Sequence, residues 1–238
     1  MSERDFATDW AQGELEHVVR ERHAVRQFTS EPVAADVRDA LEHEVAACNA
    51  AGNLHMRLVW NDPQAFDSAM AHYGKFSGVS NYLVIAGAPA DDLDERGGYW
   101  GERVILLAQH LGLNSCWVAL TFKRRHVRAL LQDGDRMVLV VALGHGSNAG
   151  HPHRTKSPAD VTPNTADAPA WFRRGVEWAL LAPTANNQQH FRIELVQTAG
   201  SAPRVTAAST GGPYSKVDLG IAKLHFELGA GRDSFSWA

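Results

Sequence analysis

The sequence predicts an α+β fold assembled from two related halves, and three observations lead there. Residues Arg38–Val59 and Phe172–Ile193 read as copies of one pattern, 134 residues apart: an amphipathic helix, a small polar turn with Asn, then an alternating strand-like run. A second pair of helices, Tyr99–Leu111 and Asp218–Leu228, superposes at an offset of 119, which lays Gly220 on Gly101 and Gly231 on Gly112. Helix-type and strand-type periodicities alternate along the rest of the chain. A repeat describes how a whole chain is built, so it outranks any single motif. The offsets differ by 15 residues (134 − 119), as a shortened loop in the second half would produce. The expected division is residues 1–150 for the first half and 151–238 for a second, shorter one, with a site where they meet.

Taken in order, residues 9–21 predict a helix with Leu15, Val18 and Val19 on one face. A basic turn follows from Arg22 to Pro32, then a second helix over residues 34–50. Strand patterns fall at 55–60 and 82–86, with a helix expected between them from Gln64 to Tyr73. Gly97-Gly98 is read as opening an apolar helix, Tyr99–Leu111, that Gly112 stops. Ser115–Leu120 and Arg136–Leu143 are buried-strand patterns separated by a basic helix, Lys123–Leu131, and an Asp-Gly-Asp turn. The Gly-, Pro-, Ser- and His-rich stretch from Gly144 to Thr165 reads as the connection between halves. The second half predicts a helix at 169–182, strands at 190–197 and 203–208, a glycine-rich loop, and a helix at about 216–229.

The 238 residues are enough for one large domain or two smaller ones, and 45% apolar content supports an ordinary core. A net charge of −4 and a pI near 6.3 argue against nucleic acid as the main partner. No apolar run approaches the roughly 18–20 residues that span a bilayer, and the polar start Met1-Ser2-Glu3-Arg4-Asp5 does not read as a signal peptide. The cytoplasm is the expected compartment. Cys48 and Cys116 form neither a disulfide framework nor a metal spacing, and Cys116 beside Trp117 reads as a packed core thiol. His151-Pro152-His153 lacks a Cys or carboxylate partner at ligand spacing, so no metal is expected. A hydrolase triad has no Gly-x-Ser-x-Gly anchor, and Gly144–Gly150 has the wrong spacing for a dinucleotide fingerprint.

Two segments carry chemistry. Arg22-His23-Ala24-Val25-Arg26 sets two guanidinium groups four residues apart beside a turn, and guanidinium forks match phosphate oxygens. A solvated basic turn is the alternative reading of that cluster, and Arg154-Thr155-Lys156 adds a second basic pair beyond a buried strand. Ala182-Pro183-Thr184-Ala185-Asn186-Asn187-Gln188-Gln189-His190-Phe191 runs a helix into a turn with a row of side-chain amides next to an aromatic strand residue. Such a row suits a flat heterocycle edged by carbonyl and imide groups, and an ordinary polar loop is its alternative.

These segments, with Leu111-Gly112-Leu113-Asn114-Ser115-Cys116-Trp117 following the central helix, resemble the motifs of the nitroreductase family of FMN-dependent flavoproteins. The first is similar to that family's Arg-x-Ser-x-Arg/Lys phosphate signature and the second to its Ala-Pro-Ser-x-x-Asn-x-Gln-Pro-Trp segment. The third is similar to its Gly-Leu-Gly-x-Cys-Trp stretch. The likeness runs from about residue 15 to 235, and the single-chain, duplicated arrangement most resembles the branch known from Thermotoga. It implies a nitroreductase-like fold, antiparallel-rich sheets flanked by helices, with two halves fused as a pseudo-dimer.

By that resemblance Arg22 and Arg26 bind the FMN phosphate, with Arg154 and Lys156 as late basic partners and Ala24 at the family's serine position. Pro183, Thr184, Asn187 and Gln189 approach the ring, and backbone N–H groups of Ala119 and Leu120 face flavin N5 and O4. The first copy's loop, Asn49–His55, has lost the Pro, Thr/Ser and Gln, so one FMN per chain and a sufficient monomer are implied. The implied activity is NADH- or NADPH-dependent reduction of a small-molecule electron acceptor, such as a nitroaromatic or quinone, by hydride transfer through flavin N5. No protein side chain is required as acid or base. An FMN-binding protein without turnover is the alternative.

Overall fold

In the computed structural model, residues 12–164, 167–196 and 202–238 are described; residues 9–11 of the expected first helix, residue 165 of the connection and residue 197 of the expected strand lie outside them. The elements in chain order are α1 (Gln12–Glu21), α2 (Ala35–Gly52), β1 (Arg57–Val59), α3 (Ala69–Tyr73), β2 (Asn81–Gly87), α4 (Leu93–His110), β3 (Asn114–Val118), α5 (Arg124–Arg128) and β4 (Arg136–Gly144). After a connection come α6 (Pro158–Val161), α7 (Ala170–Ala179), β5 (Phe191–Val196), β6 (Arg204–Ser209), α8 (Ser215–Ala230) and β7 (Ser236–Trp237). No helix among the described residues is long and apolar enough to cross a membrane.

The first sheet has the order β1-β2-β4-β3, antiparallel throughout. Every residue of β2 and all but the first of β4 are buried, which explains their unbroken apolar runs: both sheet faces are covered. The pleat then sorts the side chains. Leu83, Ile85, Leu139, Val141 and Leu143 join the main core with α4, whereas Tyr82, Val84, Val140 and Ala142 meet Phe66, Phe76 and Phe122 on the opposite face. The second sheet is β5-β6-β7. Its first strand alternates, with Phe191, Ile193 and Leu195 in the main core and Arg192 exposed. The third strand is parallel to β6, pairing Arg204 with Ser236 and Val205 with Trp237.

Helices α4 and α8 cross in close contact at the centre of the molecule, with α2 packed on α4 and α7 on α8. The crossing depends on missing side chains. A Cβ at Gly98 would fall 2.1 Å from the Val217 carbonyl oxygen, far inside contact distance. Gly97 and Gly98 therefore lie within α4, which begins at Leu93, and do not open it as the sequence reading expects. The expected Gln64–Tyr73 helix is also divided. A 3₁₀ turn at Pro63–Ala65, capped by the Asp62 side chain, precedes α3, whose first turn is capped by the Ser68 hydroxyl.

Candidate functional site

The segment after α1 is extended and stitched to the sheet: Ala24 bridges Ser115 in parallel, and the Val25 N–H donates to the Ser115 carbonyl at 2.9 Å. Extended backbone alternates its side chains. Val25 enters the core, while Arg22, Ala24 and Arg26 face one side and line a cleft of about 490 Å³. That volume lies in the usual range for small-molecule sites.

Opposite, α7 ends and the chain turns through Pro183–Gln189. Asn186, Asn187 and Gln189 take left-handed φ values of 51°, 54° and 47°, a conformation Asn tolerates better than most residues. Pro183, Thr184, Ala185 and Asn186 line the cleft. The turn is held from α8. Asp218 accepts from the Ala185 N–H at 2.9 Å and from the Gln188 side-chain amide at 2.6 Å, and itself lines the cleft with Tyr214, Val217 and Ile221. Burial pushes its carboxyl up to about 6, against the downward pull of Gln188, the Ala185 N–H and His190.

The end of β3 supplies the cleft's third wall with Cys116, Trp117, Val118, Ala119 and Leu120. The N–H groups of Ala119 and Leu120 have no backbone partner among the described residues. Cys116 is buried, and burial raises its thiol despite the adjacent Arg26 and Arg22, which keeps it in the unreactive thiol form. The outer rim is Tyr73–Phe76, where the Tyr73 ring is 84% exposed and Arg26 lies 5.9 Å from the Phe76 ring centroid.

Seven of the eleven sequence-predicted residues thus share one cleft: Arg22, Ala24, Arg26, Ala119, Leu120, Pro183 and Thr184. Arg154, Lys156, Asn187 and Gln189 lie outside its lining and hold one another. The Asn187 and Gln189 side-chain amides donate to the Arg154 carbonyl at 2.7 and 3.0 Å. The Gln189 side-chain oxygen accepts from the Lys156 N–H at 2.9 Å, and Lys156 Nζ donates to the Gln189 carbonyl at 3.0 Å. These contacts tie the connection to the turn. Sequence reasoning missed Asp218, Tyr214 and Tyr73; the one available signal was an acidic residue in the first turn of a helix after a glycine-rich loop.

Arg22 borders the cleft yet is 3% exposed, and its Nε and Nη1, themselves buried, are cationic donors with no hydrogen-bond partner among the described residues. An anionic group is what such donors take. Residues 14–230 match the family described as "Putative TM nitroreductase". The chain belongs to this family.

Among solved structures, this nitroreductase-family chain is similar to a putative nitroreductase from Thermotoga maritima, with 20% identity over 92% of this chain and 84% of that one, and a TM-score of 0.63. A putative nitroreductase from Desulfovibrio desulfuricans, solved in complex with FMN, aligns at 14% identity over 65% of this chain and 98% of that one, TM-score 0.52. A protein titled putative NADH dehydrogenase/NAD(P)H nitroreductase, from Parabacteroides distasonis, gives 17%, 64%, 99% and 0.51 in the same order. At these identities the likeness carries the fold. No curated protein matches the chain. The expected family and α+β fold of helices and antiparallel sheets stand.

Proposed function

We propose that this chain is an FMN-dependent oxidoreductase whose cleft takes reducing equivalents from NADH or NADPH and passes them to a small conjugated acceptor. The observation that carries the reading is the convergence of Arg22 and Arg26 with Pro183–Ala185 on one cleft, although more than 150 residues of chain separate them. The residues present fit FMN. The Arg22 guanidinium at the cleft lining, whose Nε and Nη1 are buried without a partner among the described residues, and Arg26 offer positive charge to a phosphate. The N–H groups of Ala119 and Leu120, without a backbone partner among the described residues, offer donors to a ring edge, where they would stabilise negative charge on a reduced ring. Pro183, Thr184 and the Tyr214 ring supply a wall. Bound there, FMN would supply the hydride chemistry at N5, and the protein's part is binding, orientation and electrostatics. Lys156, Arg154, Asn187 and Gln189 would act by fixing the turn.

The same reading makes the chain a fused pseudo-dimer, with residues 1–150 and 151–238 as sibling halves. It is supported by α2 packing on α4 as α7 packs on α8, each followed by an edge strand. One FMN per monomer follows. The test is anaerobic reduction of FMN-loaded protein by NADH or NADPH, then reoxidation by a quinone. Bleaching and recovery of flavin absorbance are expected; FMN-loaded protein inert to both nucleotides would leave an FMN-binding protein without turnover.

A further inference from the structure

Beneath the cleft lies a buried charged cluster that the proposed chemistry does not use. Glu102 on α4 is fully buried, with its Oε1 3.5 Å from Arg22 Nε. That separation neutralises charge without a hydrogen bond. Both carboxylate oxygens are satisfied elsewhere: Trp117 Nε1 donates to Oε2 at 2.8 Å, and His225 Nε2 on α8 sits 3.0 Å from Oε1. A carboxylate only accepts, so His225 donates from Nε2, and its Nδ1 has no partner among the described residues. The guanidinium is therefore compensated in charge while its Nε and Nη1 stay uncommitted.

We infer that Glu102 is the resident counter-ion of Arg22: it keeps the buried cation neutralised while the cleft holds no anion, and tempers the hold on an anion that enters. His225 and Trp117 position the carboxylate so that it attracts the guanidinium without consuming its donors. Charged and titratable groups nearby include Arg26, His23 and His153, none of which supplies negative charge. The inference rests on Arg22 serving the phosphate of FMN, as proposed above.

The test is a mutant cycle on the full chain, with FMN and riboflavin as probes that differ by the phosphate alone. Without ligand, Glu102→Gln strands a buried cation and should lower Tm by roughly 6 °C or more. In an Arg22→Met background the same replacement should cost less than half as much. With ligand, Glu102→Gln should raise the ratio of FMN to riboflavin affinity by roughly tenfold, since the phosphate now meets an uncompensated guanidinium. A merely structural glutamate would lower both affinities alike and leave the ratio unchanged, and that result overturns the counter-ion. If Glu102→Gln does not fold alone, folding of R22M/E102Q supports the inference and failure of the double variant overturns it. A wild-type protein that binds FMN and riboflavin equally overturns the phosphate assignment itself, and the counter-ion with it.

Discussion

Gly220 on α8 faces the backbone of α4 so closely that a Cβ there would lie 1.9 Å from the Glu95 carbonyl oxygen, reciprocating the approach of Gly98 to Val217. The obstacles are main-chain atoms, which cannot rotate away. Gly220→Ala and Gly98→Ala must each push the helices apart, at about 3 kcal/mol or more, the upper end of overpacking costs. Because α8 also carries Asp218, Val217 and Ile221 into the cleft, FMN affinity should fall with stability. Urea unfolding and flavin titration of G220A measure both; a variant with wild-type stability would refute the crossing.

The same glycines mark where sequence reading stops. In a one-dimensional pattern Gly97-Gly98 reads as a helix boundary, because glycine lowers helix propensity. In three dimensions those positions are contact surfaces, a property that belongs to α8 as much as to α4. Arg22, Ala24 and Arg26 were legible through their likeness to the phosphate signature, although the segment read as a basic turn is extended and stitched to the sheet. Pro183 and Thr184 were legible through their turn chemistry. Asp218, Glu102 and His225 were not, since their roles arise only when α4, α8 and the turn are packed together. The two-residue strand Ser236–Trp237 is too short to show periodicity and finds its partner some thirty residues back.

Asp218 predicts a pH dependence. Its folded-state carboxyl titrates near 6 against an ordinary 3.8, so the folded protein binds more protons than the unfolded chain between those values. Stability contributed by the protonated form is present at the acid end and lost as pH rises through about 6, by about 3 kcal/mol at the limit. Asp218→Asn keeps an acceptor for the Ala185 N–H and removes the titration. Stability profiles of the two proteins from pH 4 to 7 should diverge, with the wild type falling relative to the variant. Parallel profiles would contradict the assignment.

Arg26 separates binding from folding. Its side chain is exposed at the cleft rim and over the Phe76 ring. Arg26→Ala should change stability by less than about 1 kcal/mol, yet weaken FMN by about tenfold through loss of a charge-assisted bond. Riboflavin affinity should hardly change. Flavin-fluorescence titration checks this, and an unaltered FMN dissociation constant would remove Arg26 from the phosphate site.

Gln189 predicts what happens when the turn is released without touching the cleft. Its side chain is buried, accepts from the Lys156 N–H, and donates to the Arg154 carbonyl and to Asn187 Oδ1 at 2.8 Å. Alanine leaves the Lys156 N–H without its partner and leaves the Asn187 side chain held only by its bond to the Arg154 carbonyl, at about 2 kcal/mol. Lys156→Met removes the Nζ bond to the Gln189 carbonyl and a charge near Asp160, on a partly exposed side chain, and should cost less. The decisive measurement is amide hydrogen exchange. Q189A should speed exchange at residues 184–189 more than in β2 and β4, and lower FMN affinity severalfold although no lining side chain has changed. Uniformly faster exchange would mean that Gln189 supports the fold at large and does not specifically brace the turn.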